Sequence, residues 1–206
     1  MSSSPSQLER ARCALRREFL ARRNALPATV IHESSTATAR HLAASAPFLT
    51  AECVAAYVAL DSELDPVPLI DAAFEAGKTV YLPRVLDAQR MEFVRWQAGE
   101  PLQPNRFGIP EPTPDATHIL APETLDLVLV PLLAFDTKGN RLGFGAGFYD
   151  RTFAFKRDGR ARPTLCGYAY TWQQTSSLPA AEWDVALDAV ATERGTMTFD
   201  LPGASA

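Results

Sequence analysis

The chain has no apolar run near the roughly 20 residues that a membrane-crossing helix needs. Its start, MSSSPSQLERARC, turns from polar to arginine-rich and has no apolar segment of a secretory leader. A cytoplasmic protein with no membrane partner is therefore expected. Cysteine is scarce, and Cys13, Cys53 and Cys166 are odd in number, far apart and in no metal-ligand spacing. They read as free thiols in a reducing compartment, behaving as small apolar side chains rather than as a disulfide or zinc framework. Histidine is also sparse, and His32, His41 and His118 stand in no arrangement with a nucleophile. Lysine is nearly missing, with three residues against seventeen arginines. A planar guanidinium suits phosphate and carboxylate better than an ammonium does. The net charge of −4 argues against a general nucleic-acid binder, which is usually basic. No internal repeat and no linker divides the chain, so residues 1–206 read as one domain, with 1–6 and 197–206 as tails.

What is present is a core. Of 206 residues, 47% are hydrophobic, enough for one large domain. Leu8 to Leu26 reads as an amphipathic helix stopped by Pro27, with Leu8, Leu15, Phe19 and Leu26 within about 60° of one another. Arg12, Arg16 and Arg23 form a second stripe, within about 40°, directly beside the apolar one. Arginines at such an edge are half-buried and need partners. Those partners are either carboxylates of the domain body or an anionic ligand held against the helix. Residues 1–40 carry seven Arg against three Glu, so the basic charge is concentrated here.

Further along, Ala28 to Ala46 is a second helix, Cys53 to Leu60 a strand, and Asp61 to Pro66 a loop. Pro66 to Ala76 reads as a short helix ended by Gly77. Thr79–Val85 and Met91–Trp96 are strand-like. Five prolines between Gly99 and Thr117 imply a loop without a regular ladder. Leu125–Phe135 (LDLVLVPLLAF) is apolar on both faces and so expected at the centre of a sheet. Thr164–Tyr170 and Val185–Thr192 add two more strands. Alternating strands and helices imply an α/β domain with a largely parallel sheet.

Directly after the central strand comes RLGFGAGFYDR, residues 141–151, in which Gly143, Gly145 and Gly147 alternate. An apolar helical segment, Phe148–Phe155, is expected to follow. Ligands of open α/β sheets bind at the carboxyl ends of strands. Glycines placed there let backbone N–H groups converge on an anion. The spacing is neither a dinucleotide fingerprint nor a GK[ST] loop. Arg141, Tyr149, Asp150 and Arg151 add more polarity than a mere turn needs.

RLGFGAGFYDRTF closely resembles the RLGxGxGYYDR signature of the 5-formyltetrahydrofolate cyclo-ligases. Five other segments resemble that family in the same order: LRREFLARRNAL, YVALDSELD, NRFGIPEP, LVLVPLLAFDTKGNR and EWDVALDAVAT. The resemblance runs over about residues 8–195. It implies a three-layer α/β/α domain similar to sugar-phosphate isomerases and CoA transferases. It also implies ATP- and Mg²⁺-dependent conversion of 5-formyltetrahydrofolate to 5,10-methenyltetrahydrofolate by a monomer.

Carried over by position, Arg12, Arg16 and the loop Arg141, Leu142, Gly143, Phe144, Gly145, Ala146, Gly147, Phe148 and Tyr149 would bind ATP. Val58, Glu63 and Phe144–Phe148 would contact the folate. Arg141, Tyr149 and Asp150 would be catalytic, and Asp150 and Asp188 would hold Mg²⁺. The chain departs from the family pattern at Ala146, where many members have Lys, at Arg12, usually Lys, and at Leu132, often Gly. Two other classes stay open: an isomerase or CoA-ester enzyme of similar fold that needs no ATP, and a non-catalytic nucleotide-binding module.

Overall fold

A computed structural model describes residues 6–106, 108–113, 118–160 and 162–199. Strand β7 (Leu127–Pro131) lies at the centre, as its two apolar faces require, parallel to β1 (Cys53–Ala55) on one side and β10 (Thr164–Tyr168) on the other. Beyond β1 lies parallel β2 (Thr79–Val85), and beyond β10 parallel β12 (Ala189–Thr192). Antiparallel strands close both margins: β3 (Met91–Trp96) and β6 (Ile119–Leu120) beside β2, and β13 (Gly195–Thr198) beside β12. The sheet is thus mostly parallel, as expected.

Alternation along β7 builds both cores. Leu127 and Leu129 enter one cluster with Leu42, Phe48, Leu69 and Ala73 of helices α2 (Ala28–Ala43), α3 (Ala46–Thr50) and α4 (Val67–Glu75). Val128 and Val130 face the other cluster with Phe93 and Phe153. The leucines among them are at most 1% exposed, so truncating one of them to alanine costs about 2–5 kcal/mol. The second layer is thinner than the sequence suggests. Phe148–Phe155 forms only the five-residue helix α5 (Phe148–Thr152) and a 3₁₀ turn, Ala154–Asp158.

Helix α1 (Gln7–Asn24) starts in a capping box. Ser6 Oγ accepts from the Glu9 amide at 3.2 Å, while Glu9 Oε2 accepts from the Ser6 amide at 3.1 Å. The helix lies over a small second sheet, β11 (Gln174–Thr175), β8 (Ala134–Asp136) and β9 (Arg141–Leu142), where Phe19 packs with Leu133, Ala134, Leu142 and Leu178.

Several boundaries differ from expectation. The run 125–135 is two strands in two sheets, because the chain leaves the main sheet at Leu132 and Leu133. Strand β1 ends at Ala55, not at residue 60, and β12 begins at Ala189, not at 185. The proline-rich stretch does form a ladder: β4 (Leu102–Pro104) pairs antiparallel with β5 (Pro110–Pro112). A two-stranded ribbon has free edges on both sides, so its prolines need no inner amide. Residues 197 and 198, expected in a tail, belong to β13.

Read across the parallel strands, the order is β2-β1-β7-β10-β12. The chain therefore builds outward from β1 in one direction and from β7 in the other. The gap between their carboxyl ends is the switch point where such sheets bind ligands.

Candidate active site

The glycine loop stands on a rigid base. Buried Asp136 ends β8, and its carboxylate accepts from the amides of Lys138, Asn140 and Leu178 and from Asn140 Nδ2, at 2.8–3.0 Å. Those four bonds fix the β8–β9 hairpin.

Beyond β9, Gly145 at φ +103° and Gly147 at φ +70° flank Ala146, which stays outside positive φ. Alternation of this kind lets successive amides turn toward a shared anion. The backbone amides of Gly143 to Gly147 donate to no acceptor among the described residues. Two of the loop carbonyls are held from behind by arginines. Arg16 Nε donates to Gly143 O at 2.9 Å, and Arg151 Nη2 donates to Ala146 O at 2.7 Å. Arg151 also anchors to Gln89 O at 2.8 Å in the β2–β3 turn. Neither guanidinium has a carboxylate within ion-pair distance among the described residues. The loop tip, Phe144 to Ala146, is exposed. Five free amides and two uncompensated positive charges around one exposed turn make an anion cradle.

The other arginines are spent differently. Arg12 donates to Pro179 O at 2.8 Å and forms an ion pair with Asp184, so one member of the α1 stripe has a carboxylate of the domain body as its partner. Arg141 is nearly buried. It pairs with Asp150 Oδ1 at 2.6 Å and donates to Val185 O, and the Val185 amide returns a bond to Asp150 at 3.1 Å. Arg141 thus ties α5 to the 181–187 segment rather than pointing into the cradle. The second oxygen of Asp150 has no hydrogen-bond partner among the described residues, and the side chain is 26% exposed.

The structure does not bring Asp188 to this place. It precedes β12 at the amino end of the sheet, and both its oxygens are occupied, by Lys156 at 2.9–3.0 Å and by the Leu165 amide at 2.7 Å. Burial raises its pKa against the opposing pull of that amide and Lys156. Leu142 and Phe148 point into the cores.

Facing the cradle across the switch point is the 57–65 loop. A narrow crevice, too tight for a water molecule, is lined by Arg23, Tyr57, Glu63, Pro131, Leu132 and Tyr168 among others. Glu63 is 6% exposed, with Oε2 accepting from the Leu60 amide at 2.9 Å. Its pKa is raised by burial, against the pull of the Leu60 amide and Arg23. Val58 is half-buried against the first core. Burial and then the Glu63 carboxylate push the phenols of Tyr57 and Tyr149 upward, so both are neutral donors at pH 7. The same coupling places Tyr149, on α5, near Glu63.

The sequence pattern of the 5-formyltetrahydrofolate cyclo-ligase family matches residues 9–193. The chain belongs to the 5-formyltetrahydrofolate cyclo-ligase family. A cyclo-ligase of Escherichia coli K12 is 38% identical over 173 residues, 83% of this chain and 94% of that protein. The Haemophilus influenzae cyclo-ligase is 35% identical over 84% and 92%. The solved Aquifex aeolicus 5,10-methenyltetrahydrofolate synthetase superposes with a TM-score of 0.77 at 30% identity, covering 91% of this chain and 92% of that one. For this cyclo-ligase chain the membership favours an enzyme that uses ATP over an isomerase of similar shape. Arg23 and Arg151, singled out in the sequence but not placed among its site residues, are brought forward by the geometry. Arg151 was signalled by its place four residues after Gly147, one helical turn from the loop it clamps.

Proposed function

We propose that the chain closes 5-formyltetrahydrofolate to 5,10-methenyltetrahydrofolate with ATP, releasing ADP and phosphate. The observation that carries this reading is a glycine loop at the switch point with five amides that have no acceptor, and two arginines that have no carboxylate, among the described residues. A formyl oxygen on nitrogen is an amide oxygen and a very poor leaving group. Transfer of the γ-phosphoryl group to it makes an imidate phosphate. N10 attacks the same carbon intramolecularly and gives up its proton to solvent, and phosphate leaves with that oxygen. The protein then needs alignment and charge stabilisation, not a nucleophile of its own.

In this reading the triphosphate lies against the amides of Gly143 to Gly147. Arg16 and Arg151 supply the net charge, because Arg12 is already balanced by Asp184. Arg141 fixes Asp150, and neutral Tyr149 stands between cradle and folate as a hydrogen-bond donor. The free oxygen of Asp150 fits a Mg²⁺ ion borne by the nucleotide, since that ion takes one or two carboxylates plus phosphate oxygens and water. Bound there, Mg²⁺ would neutralise charge on the β- and γ-phosphates. Asp188 does not fit, because its oxygens are filled. In this reading Val58, Glu63 and the exposed ring of Phe144 contact the folate, and the closed crevice at Glu63 has to widen to admit it. The reading is of a monomer acting in the cytoplasm. Among the described residues no helix is long and apolar enough to cross a membrane.

The test is the absorbance of the methenyl product after mixing the protein with 5-formyltetrahydrofolate and Mg²⁺, with and without ATP. A rise only with ATP, matched by ADP, supports the proposal. A rise independent of ATP, or none, overturns it.

A further inference from the structure

Among the described residues Arg23 is the largest side chain that is almost wholly enclosed, at 2% exposure. It lies in the last turn of α1, on the stripe shared with Arg12 and Arg16, and is enclosed from solvent. Its Nε donates to Ser62 Oγ at 3.3 Å and its Nη1 to Glu63 Oε1 at 3.4 Å. The guanidinium carbon sits 5.1 Å from the centroid of the Phe144 ring, at the exposed tip of the glycine loop. Ser62 is itself held, donating to Asn24 Oδ1 at 2.8 Å, while its carbonyl accepts from Tyr170 OH at 3.1 Å. A single cation is thus clamped between the two loops that face each other across the switch point.

We propose that Arg23 is a positioning residue for the folate, holding the Glu63 carboxylate in place on one edge and steadying Phe144 on its face. The proposal rests on the reading in which Glu63 contacts the folate. The groups that face Glu63 are Arg23 from α1, Tyr57 after β1, Asp61 in its own loop, Tyr149 from α5 and Tyr170 after β10. Among these Arg23 is the one cation. The reduced pterin ring presents several N–H donors, and the lone pairs that Arg23 and the Leu60 amide leave on Glu63 accept them better from a carboxylate than from a neutral acid. Burial already drives Glu63 toward its neutral form. Without Arg23 one of the two groups that oppose that shift is lost, and the neutral acid gains further ground. A lysine could keep the charge, but as a point charge it cannot span Ser62, Glu63 and the Phe144 ring together.

The experiment compares wild type, Arg23→Gln, Arg23→Lys and Glu63→Gln, measuring kcat and KM for 5-formyltetrahydrofolate and for ATP across pH 5.5–9. In Arg23→Gln the KM for the folate is expected to rise about ten- to a hundredfold. The acid limb of kcat/KM for the folate should move up by about one pH unit or more. Arg23→Lys should return the limb toward its wild-type position while KM stays raised. Glu63→Gln should remove the limb. If Arg23→Gln does not fold, the limb and KM of Arg23→Lys decide: a folate KM equal to wild type overturns the proposal. A wild-type limb and folate KM in Arg23→Gln, with only a lower Tm, make Arg23 purely structural and also overturn it. If Glu63→Gln itself keeps the wild-type folate KM and limb, the folate role of Glu63 has failed and the proposal falls with it. If Glu63→Gln is impaired while the Arg23 variants are not, only the proposal for Arg23 fails.

Discussion

Replacing Gly145 with alanine puts a Cβ on a residue held at φ +103°, 3.3 Å from Cζ of Arg16. Replacing Gly143 puts one where nothing lies within 4 Å and where φ is not in the left-handed region. The two glycines are equivalent in a pattern of alternating glycines and differ in what the fold asks of them. Holding an L-residue in so sparsely populated a conformation costs about 1–3 kcal/mol. The loop tip is exposed, so the free protein can relax away from that strain at little cost in stability. The relaxed loop no longer aligns its amides, and the free energy reappears when the triphosphate binds. At about 2 kcal/mol the KM for ATP rises roughly thirtyfold, since 1.4 kcal/mol is tenfold. Steady-state kinetics in varied ATP at saturating folate, with a melting curve for each variant, provide the assay. Gly145→Ala should show the raised KM with Tm within about two degrees of wild type, and Gly143→Ala should match wild type in both. Equal ATP dependence in the two variants, or a worse defect in Gly143→Ala, would refute the cradle geometry.

Arg16→Ala should raise the KM for ATP about ten- to a hundredfold, from a lost charge-assisted contact of about 1.5–3 kcal/mol, and leave the folate KM nearly unchanged. An equal rise for both substrates would reduce Arg16 to a clamp on the loop. Ala146→Lys should be tolerated, because residue 146 already carries a Cβ outside positive φ, and the added charge should lower the KM for ATP; loss of activity would show that the tip is packed against the ligand. Asp150→Asn and Asp188→Asn should separate a metal role from a structural one. The first should demand more Mg²⁺ for turnover and also lower Tm, because nearly buried Arg141 loses its carboxylate. The second should lower Tm through Lys156, whose side chain is 3% exposed, by somewhat less than the roughly 3–5 kcal/mol of a fully enclosed pair, at unchanged Mg²⁺ dependence. A Mg²⁺ requirement shifted in Asp188→Asn but not in Asp150→Asn would reverse the assignment.

Strands β2 and β3 were legible to the residue, since Gly77 and the turn at 86–90 bracket them cleanly. The division of 125–135 was not. A run that is apolar on both faces carries no mark of where one sheet ends and another begins, and the turn at Leu132 and Leu133 answers to α1 packing above it. The proline ribbon was hidden because proline forbids an inner strand but not a free-edged pair. At the site, the alternating glycines announced the cradle. The stripe of Arg12, Arg16 and Arg23 announced buried charge without saying which charge was spent. The partner of Arg12 is Asp184, 172 residues away, and the partner of Arg23 is a loop 40 residues on. Only tertiary structure can sort three like residues on one helix face into partners of Asp184, of the Gly143 carbonyl and of Glu63. Asp188 failed as a site residue for the same reason, its partner Lys156 being visible only in three dimensions.

The measurement that reaches the central claim most directly follows one oxygen atom. 5-Formyltetrahydrofolate labelled with ¹⁸O in the formyl group is converted with ATP, and the phosphate released is analysed by mass. If ATP phosphorylates the formyl oxygen and N10 then displaces it, each phosphate formed carries one labelled oxygen. Label that appears in water, with unlabelled phosphate, would contradict the account.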